Sequence, residues 1–452
     1  MNSKEFYLKE KPSRLFFKAA IPGGISMLAS SFYGVFDSIF VGKYLGTVAF
    51  AALGLGLPIV IINFALADLI GVGASVPISI LLGRHEDEEA NNYFTCATVM
   101  IFLTGILMGV LLYFTAPAFM SLMGAEGELL DFGVKYIRIY AIFSPVTTML
   151  FAIDNFLRIS GKLKTSLVLN VAMSVGVVLL ELLFILALEW DIRGSALAGS
   201  ISMFVVTAIG IIYFLTGKLQ LKFTRPRFSR SLITEIAKDG SPVFLANVSS
   251  RIFSIVMNIM LLELGGAEAV AIYAVLMTLG SIVEQILYGV LDSVQPAIGY
   301  NFGAGEGNRV RKISKYAFIS GAAISILSAV VIFIIPRPLA IPFLEDLSLL
   351  GLAERALRLF CISYLFKWIS HAVQSYMIAI ERPRSAAIIS ISGVFLIPTT
   401  LIFVLLPLGL DGLWLNQTFT SLLVGILAVV ILYSYNKRHI PKNNSNKKGL
   451  SH

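Results

Sequence analysis

Long apolar runs separated by short polar turns dominate the chain. A run of about 20 apolar residues is long enough to cross a lipid bilayer as a helix, and twelve such runs can be distinguished. They lie at residues 15–42, 49–82, 93–118, 131–158, 164–189, 194–217, 241–263, 269–302, 312–336, 351–380, 384–407 and 411–434. The pattern predicts an all-α integral membrane protein with twelve transmembrane helices.

The two halves of the chain share an internal repeat at one constant offset, the distance in sequence from Pro22 to Pro242. The same offset also matches Gly46 with Gly266, Gly83 with Gly303, and Arg138 with Arg358. Six spans per half is an even number, so both halves enter the membrane from the same side and the repeat is parallel. We therefore predict two six-helix bundles. Their predicted bounds are an N-lobe at 1–217, a cytoplasmic linker at 218–240, a C-lobe at 241–434 and a basic cytoplasmic tail at 435–452.

Composition supports the membrane assignment, and the distribution of charge gives an orientation. Charged residues make up 14% of the chain and mean hydropathy is +0.84, whereas soluble domains carry about 25% charged residues. Most Lys and Arg residues lie in the termini and the even-numbered loops, so the positive-inside rule predicts that both termini are cytoplasmic. The net charge of +8 is then a topology signal and a lipid-headgroup contact, not a nucleic-acid site.

Ionisable side chains inside the predicted spans are the candidate functional groups, because placing charge in the bilayer costs at least about 2.5–3.5 kcal/mol. The N-terminal half contains only acids at these depths: Asp37, Asp68, Asp154 and Glu181. The C-terminal half contains groups of both signs: Arg251, Glu284, Asp292, Lys367 and His371. At the repeat offset, the counterparts of all four N-terminal acids are uncharged, so the fold itself does not require them.

Asp37 and Glu181 are the strongest candidates for coupling to an ion gradient. Tyr33 lies one helical turn before Asp37, where its hydroxyl can donate a hydrogen bond to the carboxylate. Glu181 has no basic residue nearby in sequence, and a buried carboxylate without a cation favours its neutral form. Two such groups would share a proton or hold a small cation. The alternative is that they only bond polar groups of neighbouring helices, and this alternative has more weight for Asp154 and Asp68.

The charged residues of the C-terminal half have less specific interpretations. Arg251 is expected to form a structural ion pair with Glu284 or Asp292. Lys367 and His371 lie four residues apart on the tenth span, where they could bind an acidic ligand or reach an acid of span seven or eight. With Asp68 and Asn155, the residues Arg251, Glu284, Lys367 and His371 are the candidates for the wall of a substrate cavity.

Four segments resemble the multidrug and toxic compound extrusion (MATE) family of transporters. They are FDSIFVGKYLG at 36–46, GVGASVPISILLGR at 71–84, NFLRISGK at 155–162 and QPAIGYNFGAGEGNRVRK at 295–312. The resemblance covers essentially the whole chain. It implies that the two bundles surround a central cavity. It also implies an antiporter of the cell (inner) membrane, expected to be monomeric and without a cofactor, that exports small amphipathic drug-like molecules in exchange for H⁺ or Na⁺ by alternating access. In one branch of the family it also implies a cation site that maps onto Asp37, Tyr33 and Glu181, with Tyr140 as a neighbour.

Departures from the family pattern favour H⁺ over Na⁺ as the coupling ion. Val177 stands where that branch has Asn, and Gly199 stands where it has a hydroxyl residue, although Ser200 and Ser202 are adjacent. With fewer neutral oxygens, a sodium cage would be incomplete. The basic groups of the C-terminal half also leave open a zwitterionic or anionic ligand.

Three other functions compete with this interpretation. A flippase for lipid-linked precursors has a similar fold and would use cationic side chains such as Arg251 and Lys367 to bind a diphosphate. A membrane-embedded enzyme would need a nucleophile with a base or a metal cluster, and the four scattered histidines supply neither. A sensor would need a soluble signalling domain, and none is visible in the sequence.

Overall fold

Twelve membrane-spanning helices, α1 to α12, make up the protein in the computed structural model, which describes residues 3–344 and 347–439. A short helix, Ser3–Lys9, precedes them. Helices α1 (12–45) and α2 (47–83) form the continuous stretch Pro12–Gly83, which bends where Gly46 has φ +87°. The others are α3 Asp87–Leu122, α4 Gly127–Ile159, α5 Leu163–Ala187, α6 Ile192–Leu215, α7 Arg230–Gly266, α8 Glu268–Gly303, α9 Gly307–Ile334, α10 Leu350–Cys361 with Tyr364–Ala379, α11 Pro383–Leu408 and α12 Leu410–His439.

The prediction of twelve spans is confirmed, although length and composition alone identify ten such helices in the described chain. One is hidden because α1 and α2 run together as a single stretch of 72 residues. The other, α10, is interrupted between Cys361 and Tyr364, so that neither of its parts is long enough to cross a bilayer.

The backbone repeats the symmetry that the sequence shows. Left-handed residues, with positive φ, occur at four pairs of positions that share the offset of the sequence repeat: Gly46 and Gly266, His85 and Gly305, Gly161 and Glu381, and Glu189 and Gly409. Each pair ends a helix or turns the chain between two helices. Because this conformation is uncommon for residues other than glycine, its recurrence in both halves shows that equivalent turns join equivalent helices.

The N-lobe (α1–α6) and the C-lobe (α7–α12) share one core near the side of the membrane that holds both described chain ends, here called the terminus side. One buried cluster there combines residues from both lobes, among them Ile80, Phe156, Ile298 and Met377. On the opposite, far side the buried clusters are separate: Tyr136 belongs to an N-lobe cluster, and residues such as Trp414 form a C-lobe cluster. The lobes therefore meet on the terminus side and part toward the far side.

Glycines allow the close contact between the lobes. A Cβ added to Gly83 would lie 2.2 Å from the carbonyl oxygen of Tyr300, and one added to Gly303 would lie 2.1 Å from that of Ile80. These two contacts are equivalent under the sequence repeat, so the pseudo-symmetry axis passes between α2 and α8. Helix backbones touch here without intervening side chains, which makes the interface sensitive to one added methyl group.

The N-terminal helix adds a second connection across the terminus side. Tyr7 is buried, its ring stacks on that of Tyr300 at 4.9 Å, and its hydroxyl donates to the carbonyl of Arg158 on α4. The Tyr7 carbonyl accepts hydrogen bonds from Asn301 (3.1 Å) and Arg309 (3.0 Å) of the C-lobe. Tyr7 thus bonds to both lobes.

Candidate coupling site in the N-lobe

Asp37 lies on the far half of α1 and is bonded to α6. The hydroxyl of Ser195 donates to Asp37 Oδ1 at 2.8 Å. Ser195 is held at the start of α6 because Asp191 caps that helix and accepts from the backbone N–H of Arg193. The Ser195–Asp37 hydrogen bond therefore connects the first and last helices of the N-lobe at the residue that the sequence singles out.

Three tyrosines surround Asp37. Tyr33, Tyr136 and Tyr140 lie within electrostatic range of its carboxyl group, and the rings of Tyr136 and Tyr140 are 5.1 Å apart. A Cβ at Gly199 would lie 2.5 Å from the Tyr140 hydroxyl. Gly199, the departure from the family pattern noted above, thus leaves the space that the Tyr140 hydroxyl needs.

Glu181 completes this group and is the least satisfied acid in it. Its side chain is fully buried and lies against the Asp37 carboxyl, within electrostatic range of Tyr33 and Tyr140, and no described residue donates a hydrogen bond to either carboxylate oxygen. It stands at the end of the α-helical part of α5, directly before the π-helical turn Leu182–Ala187. Such turns occur frequently at functional sites. An ionised carboxylate in this environment is costly, so the site favours a proton or a cation on Glu181.

Asp154 lies apart from this group. It forms an ion pair with Arg158 at 2.6 Å and accepts hydrogen bonds from Ser166 (2.5 Å) and Asn170 (2.7 Å). Arg158 also donates to Ser293 of the C-lobe at 2.9 Å. The structure therefore places Asp154 in the contact between the lobes, away from Asp37.

The two remaining N-lobe candidates have few contacts. Asp68 is half-buried on α2 and makes no hydrogen bond or ion pair within the described part of the chain. Asn155 is half-buried on α4, next to Asp154.

In the C-lobe, an ion pair between Glu284 and Lys367 joins α8 to α10. Lys367 donates to the carboxylate of Glu284, and the ring of His371 lies 4.7 Å from that of Tyr288. The predicted contact of Lys367 with an acid of span eight is confirmed. The prediction that Arg251 pairs with Glu284 or Asp292 is wrong, because Glu284 binds Lys367 and Asp292 accepts from Gln295 at 2.8 Å. Arg251 is exposed and has no carboxylate within 4.0 Å among residues 3–344 and 347–439.

Three contributors to these networks were not predicted: Ser195, Tyr136 and Arg158. Ser195 lies seven residues before Ser202, on a helix rich in small residues, and nothing in the sequence separates it from the other hydroxyls. Tyr136 precedes Tyr140 by one turn, and this spacing could have indicated a shared face. Arg158 follows Asp154 by four residues, a spacing typical of a helical ion pair.

The comparisons with known proteins agree with this architecture. Residues 22–182 and 242–404 match the family model MatE, and the starts of the two matches, at positions 22 and 242, are those of the repeated prolines. The multidrug export protein MepA of Staphylococcus saprophyticus is 27% identical over 443 residues, with 96% of each chain covered. MepA of Staphylococcus aureus strain MRSA252 is 28% identical over 447 residues, again with 96% of each chain covered.

Solved structures share the fold at low sequence identity. One is the outward-facing conformation of a multidrug resistance MATE family transporter of the MOP superfamily, with a TM-score of 0.90, 21% identity, and coverage of 95% of this chain and 97% of that chain. Another is a MOP superfamily transporter from Pyrococcus furiosus, described by the reverse polarity of its binding pocket, with a TM-score of 0.91, 20% identity, and coverage of 97% and 98%. Since the matches to the family model cover well over half of the 452 residues, the chain belongs to the MatE family, whose members are membrane transporters and not enzymes.

Proposed function

We propose that the protein is a secondary active multidrug efflux antiporter, which exports amphipathic compounds in exchange for H⁺ by alternating access. The names of the MepA relatives support multidrug export as the activity. The observation that carries the coupling mechanism is the pair formed by the half-buried Asp37 and the fully buried Glu181, in which no described residue donates a hydrogen bond to either Glu181 oxygen. A proton satisfies such a pair without requiring further ligands.

The orientation of the chain in the membrane follows from its basic residues. With the Lys- and Arg-rich termini and linker in the cytoplasm, the terminus side is the cytoplasmic side and the far side faces outward. The structure, closed on the terminus side, is then the outward-facing conformation. The lipid bilayer of the cell membrane and small amphipathic molecules are the protein's expected partners.

In this conformation the coupling acids bind the proton. Protonation neutralises the Asp37–Glu181 pair, and it changes both the hydrogen bond that Asp37 accepts from Ser195 and its electrostatic interactions with the neighbouring tyrosines. The position of α1 shifts, substrate is released outward, and the lobes close on the far side and open on the cytoplasmic side. Loss of the proton to the cytoplasm restores the charged site and allows new substrate to bind. The mechanism requires only that the two conformations differ in their affinity for the proton.

The local environment favours H⁺ over Na⁺. A sodium ion needs several oxygens around it, whereas the Glu181 carboxylate is buried next to Val177, and the groups within its electrostatic range in the described chain are Asp37, Tyr33 and Tyr140. The Ser200 and Ser202 hydroxyls are buried without hydrogen-bond partners in the described chain. These two hydroxyls therefore donate to neither Asp37 nor Glu181 in the described chain.

Transport by purified protein in liposomes tests the proposal. We expect a pH gradient to drive efflux of a cationic dye and a sodium gradient alone to drive none. Asp37→Asn should abolish the pH-driven flux, whereas Asp131→Asn should not, because Asp131 pairs with Lys135 in an exposed position on α4. Normal export against a gradient by Asp37→Asn, at wild-type protein levels, would refute the mechanism.

The structure makes one of the two cationic groups that a flippase would use unavailable. Lys367, one of the two cationic groups it would use, is neutralised by Glu284 in this conformation. If the protein in liposomes moved lipid headgroups across the membrane and exported no dye, this result would favour the flippase over the antiporter.

A further inference from the structure

Arg251 lies on the face of α7 that turns toward the other lobe. On the terminus side, this face packs against α2: a Cβ at Gly73 would lie 2.1 Å from the carbonyl oxygen of Ile236, and one at Gly240 would lie 1.8 Å from that of Leu69. Helical spacing continues the same face outward from Gly240. Its successive positions are Val243, Asn247, Arg251, Ser254 and Asn258. Arg251 is thus on the inter-lobe face, beyond the point where the lobes separate.

The other faces of α7 have different surroundings. Met257 and Leu261 are buried in the C-lobe core, and Ile252, Ile255 and Ile259 form an exposed apolar stripe suited to lipid. An arginine without an acidic partner, midway along a membrane span, almost always faces the interior of the bundle or a water-filled cavity. Arg251 lies on the inter-lobe face, and no carboxylate of the described chain is near it. Both observations indicate that Arg251 lines the cleft between the two lobes.

The surface opposite Arg251 is apolar. Helices α2 and α7 are antiparallel and touch at the Gly73–Gly240 contact. The residue that faces Arg251 across the cleft is therefore the one on α2 at the same distance outward from this contact. That residue is Ile62, which precedes Gly73 by as many positions as Arg251 follows Gly240. Both lie about 16 Å outward from the contact, at a rise of about 1.5 Å per residue. Ile62 is 45% exposed, and Leu66 lies on the same face of α2.

We propose that Arg251 is a binding site for the anionic group of an amphipathic ligand, and that this transporter accepts molecules with an oxyanion on an apolar body. The inference rests on the proposed function and extends it to the class of substrate. A guanidinium offers a planar fork of donors that matches a carboxylate, sulfonate or phosphate. Ser254 and Asn258 present further polar groups on the same face, and the apolar part of the ligand packs against Ile62 and Leu66. Lys367 cannot take this role while it is bound to Glu284.

A pair of dyes with the same apolar body, one with an anionic sulfonate and one with a neutral sulfonamide, tests the site. Full-length protein in nanodiscs of neutral phosphatidylcholine is titrated with dansyl sulfonate, an amphipathic anion, and with its neutral analogue dansyl amide. We expect the wild type to bind the sulfonate roughly tenfold more tightly than the amide, the size expected for one charge-assisted hydrogen-bonded contact. Arg251→Gln should remove this preference and leave amide binding unchanged, and Arg251→Lys should retain part of it.

Controls separate the site from general effects of charge and folding. Arg337→Gln removes an exposed arginine that pairs with Glu354 on the far side, and it should keep the wild-type preference. Thermal unfolding checks that each variant is folded, as expected for the exposed Arg251. Equal binding of the two dyes by the wild type would overturn the proposal, and so would a preference that survives in Arg251→Gln.

Two sources of the oxyanion can be distinguished in the same assay. If the headgroup of an anionic lipid occupies the site, phosphatidylglycerol in the nanodisc will displace dansyl sulfonate from the wild type. The same lipid will not change the binding of dansyl sulfonate to Arg251→Gln. If the ligands are free amphipathic anions, the lipid will have no such effect; either result supports an oxyanion site. Failure of the pH gradient to drive efflux of a cationic dye would count against the antiporter, and it would leave the preference between the two dansyl compounds unaffected.

Discussion

The contact between Gly303 and the carbonyl of Ile80 gives a direct test of the closed terminus side. Replacing Gly303 by Ala puts a Cβ 2.1 Å from that oxygen, whereas ordinary contact begins near 3.4 Å. The α2 and α8 backbones must then separate by about 1.3 Å, and overpacking of this kind typically costs about 1–3 kcal/mol. The cost applies only to the conformation in which these helices touch, so the equilibrium should move about 5- to 150-fold toward the one in which they part.

Distances between spin labels on the far side measure this shift. Labels at Glu128→Cys and Gly351→Cys, both exposed and in different lobes, should give a longer distance when the far side is open. The buried Cys96 and Cys361 are replaced in the background. In Gly303→Ala we expect the shorter distance to gain population, and Gly83→Ala should act in the same direction because its contact is the symmetry equivalent.

Gly307→Ala is the matched control. It adds the same methyl group at the start of α9, four residues further along, where nothing lies within 4 Å of the new atom. Its distance distribution should equal that of the wild type. If Gly303→Ala also gave the wild-type distribution while remaining folded, the close glycine contact would not determine which conformation the protein adopts.

Three further predictions concern other parts of the molecule. Ser195→Ala removes a hydrogen bond to Asp37 worth about 1.5–3 kcal/mol and should shift the pH dependence of dye efflux without abolishing it. Ser174→Ala should leave it unchanged, because within the described chain the Ser174 hydroxyl bonds only the Asn170 carbonyl. Lys367→Met leaves the Glu284 carboxylate unpaired and should destabilise the protein by about 3 kcal/mol in thermal unfolding, and the double variant with Glu284→Gln should recover most of this loss. Glu381 lies in the turn between α10 and α11, near Glu235 of α7, and burial raises the pKa of the Glu381 carboxyl. Since this pKa is higher in the folded protein, folding loses stability as pH rises from the ordinary carboxyl range into the raised one, and Glu381→Gln should flatten that decline.

Much of the fold could be predicted because hydrophobic length and sequence symmetry are local properties of the chain. The constant offset, first seen in pairs such as Gly83 and Gly303, recurs in the backbone turns and in the family matches. The joining of α1 and α2 into one stretch at Gly46 was not predicted, nor was the break in α10. Both depend on how neighbouring helices support an irregular backbone.

The candidate site was only partly predictable, because pairing across helices depends on rotation as well as on depth. Arg251 and Lys367 both looked like possible partners for Glu284 from sequence. Their positions around α7 and α10 decide between them: Lys367 faces α8, whereas Arg251 faces the cleft. Asp154 and Asp37 lie in the same lobe, yet the rotation of α4 turns Asp154 and its ion-pair partner Arg158 together toward the inter-lobe contact.

The geometry of α1 explains how a proton in one lobe can affect the contact between both. Asp37 and Gly23 lie on this one helix, about 21 Å apart along its axis at about 1.5 Å per residue. Gly23 touches α8, where an added Cβ would lie 2.2 Å from the carbonyl of Gly289, while Asp37 is bonded to α6 through Ser195. A helix fixed at one end to its own lobe and at the other to the opposite lobe cannot change its hydrogen bonds at Asp37 and keep both attachments. In the proposed mechanism, protonation of Asp37 acts on the closed contact through the position of α1, and no continuous chain of polar groups between the two points is needed.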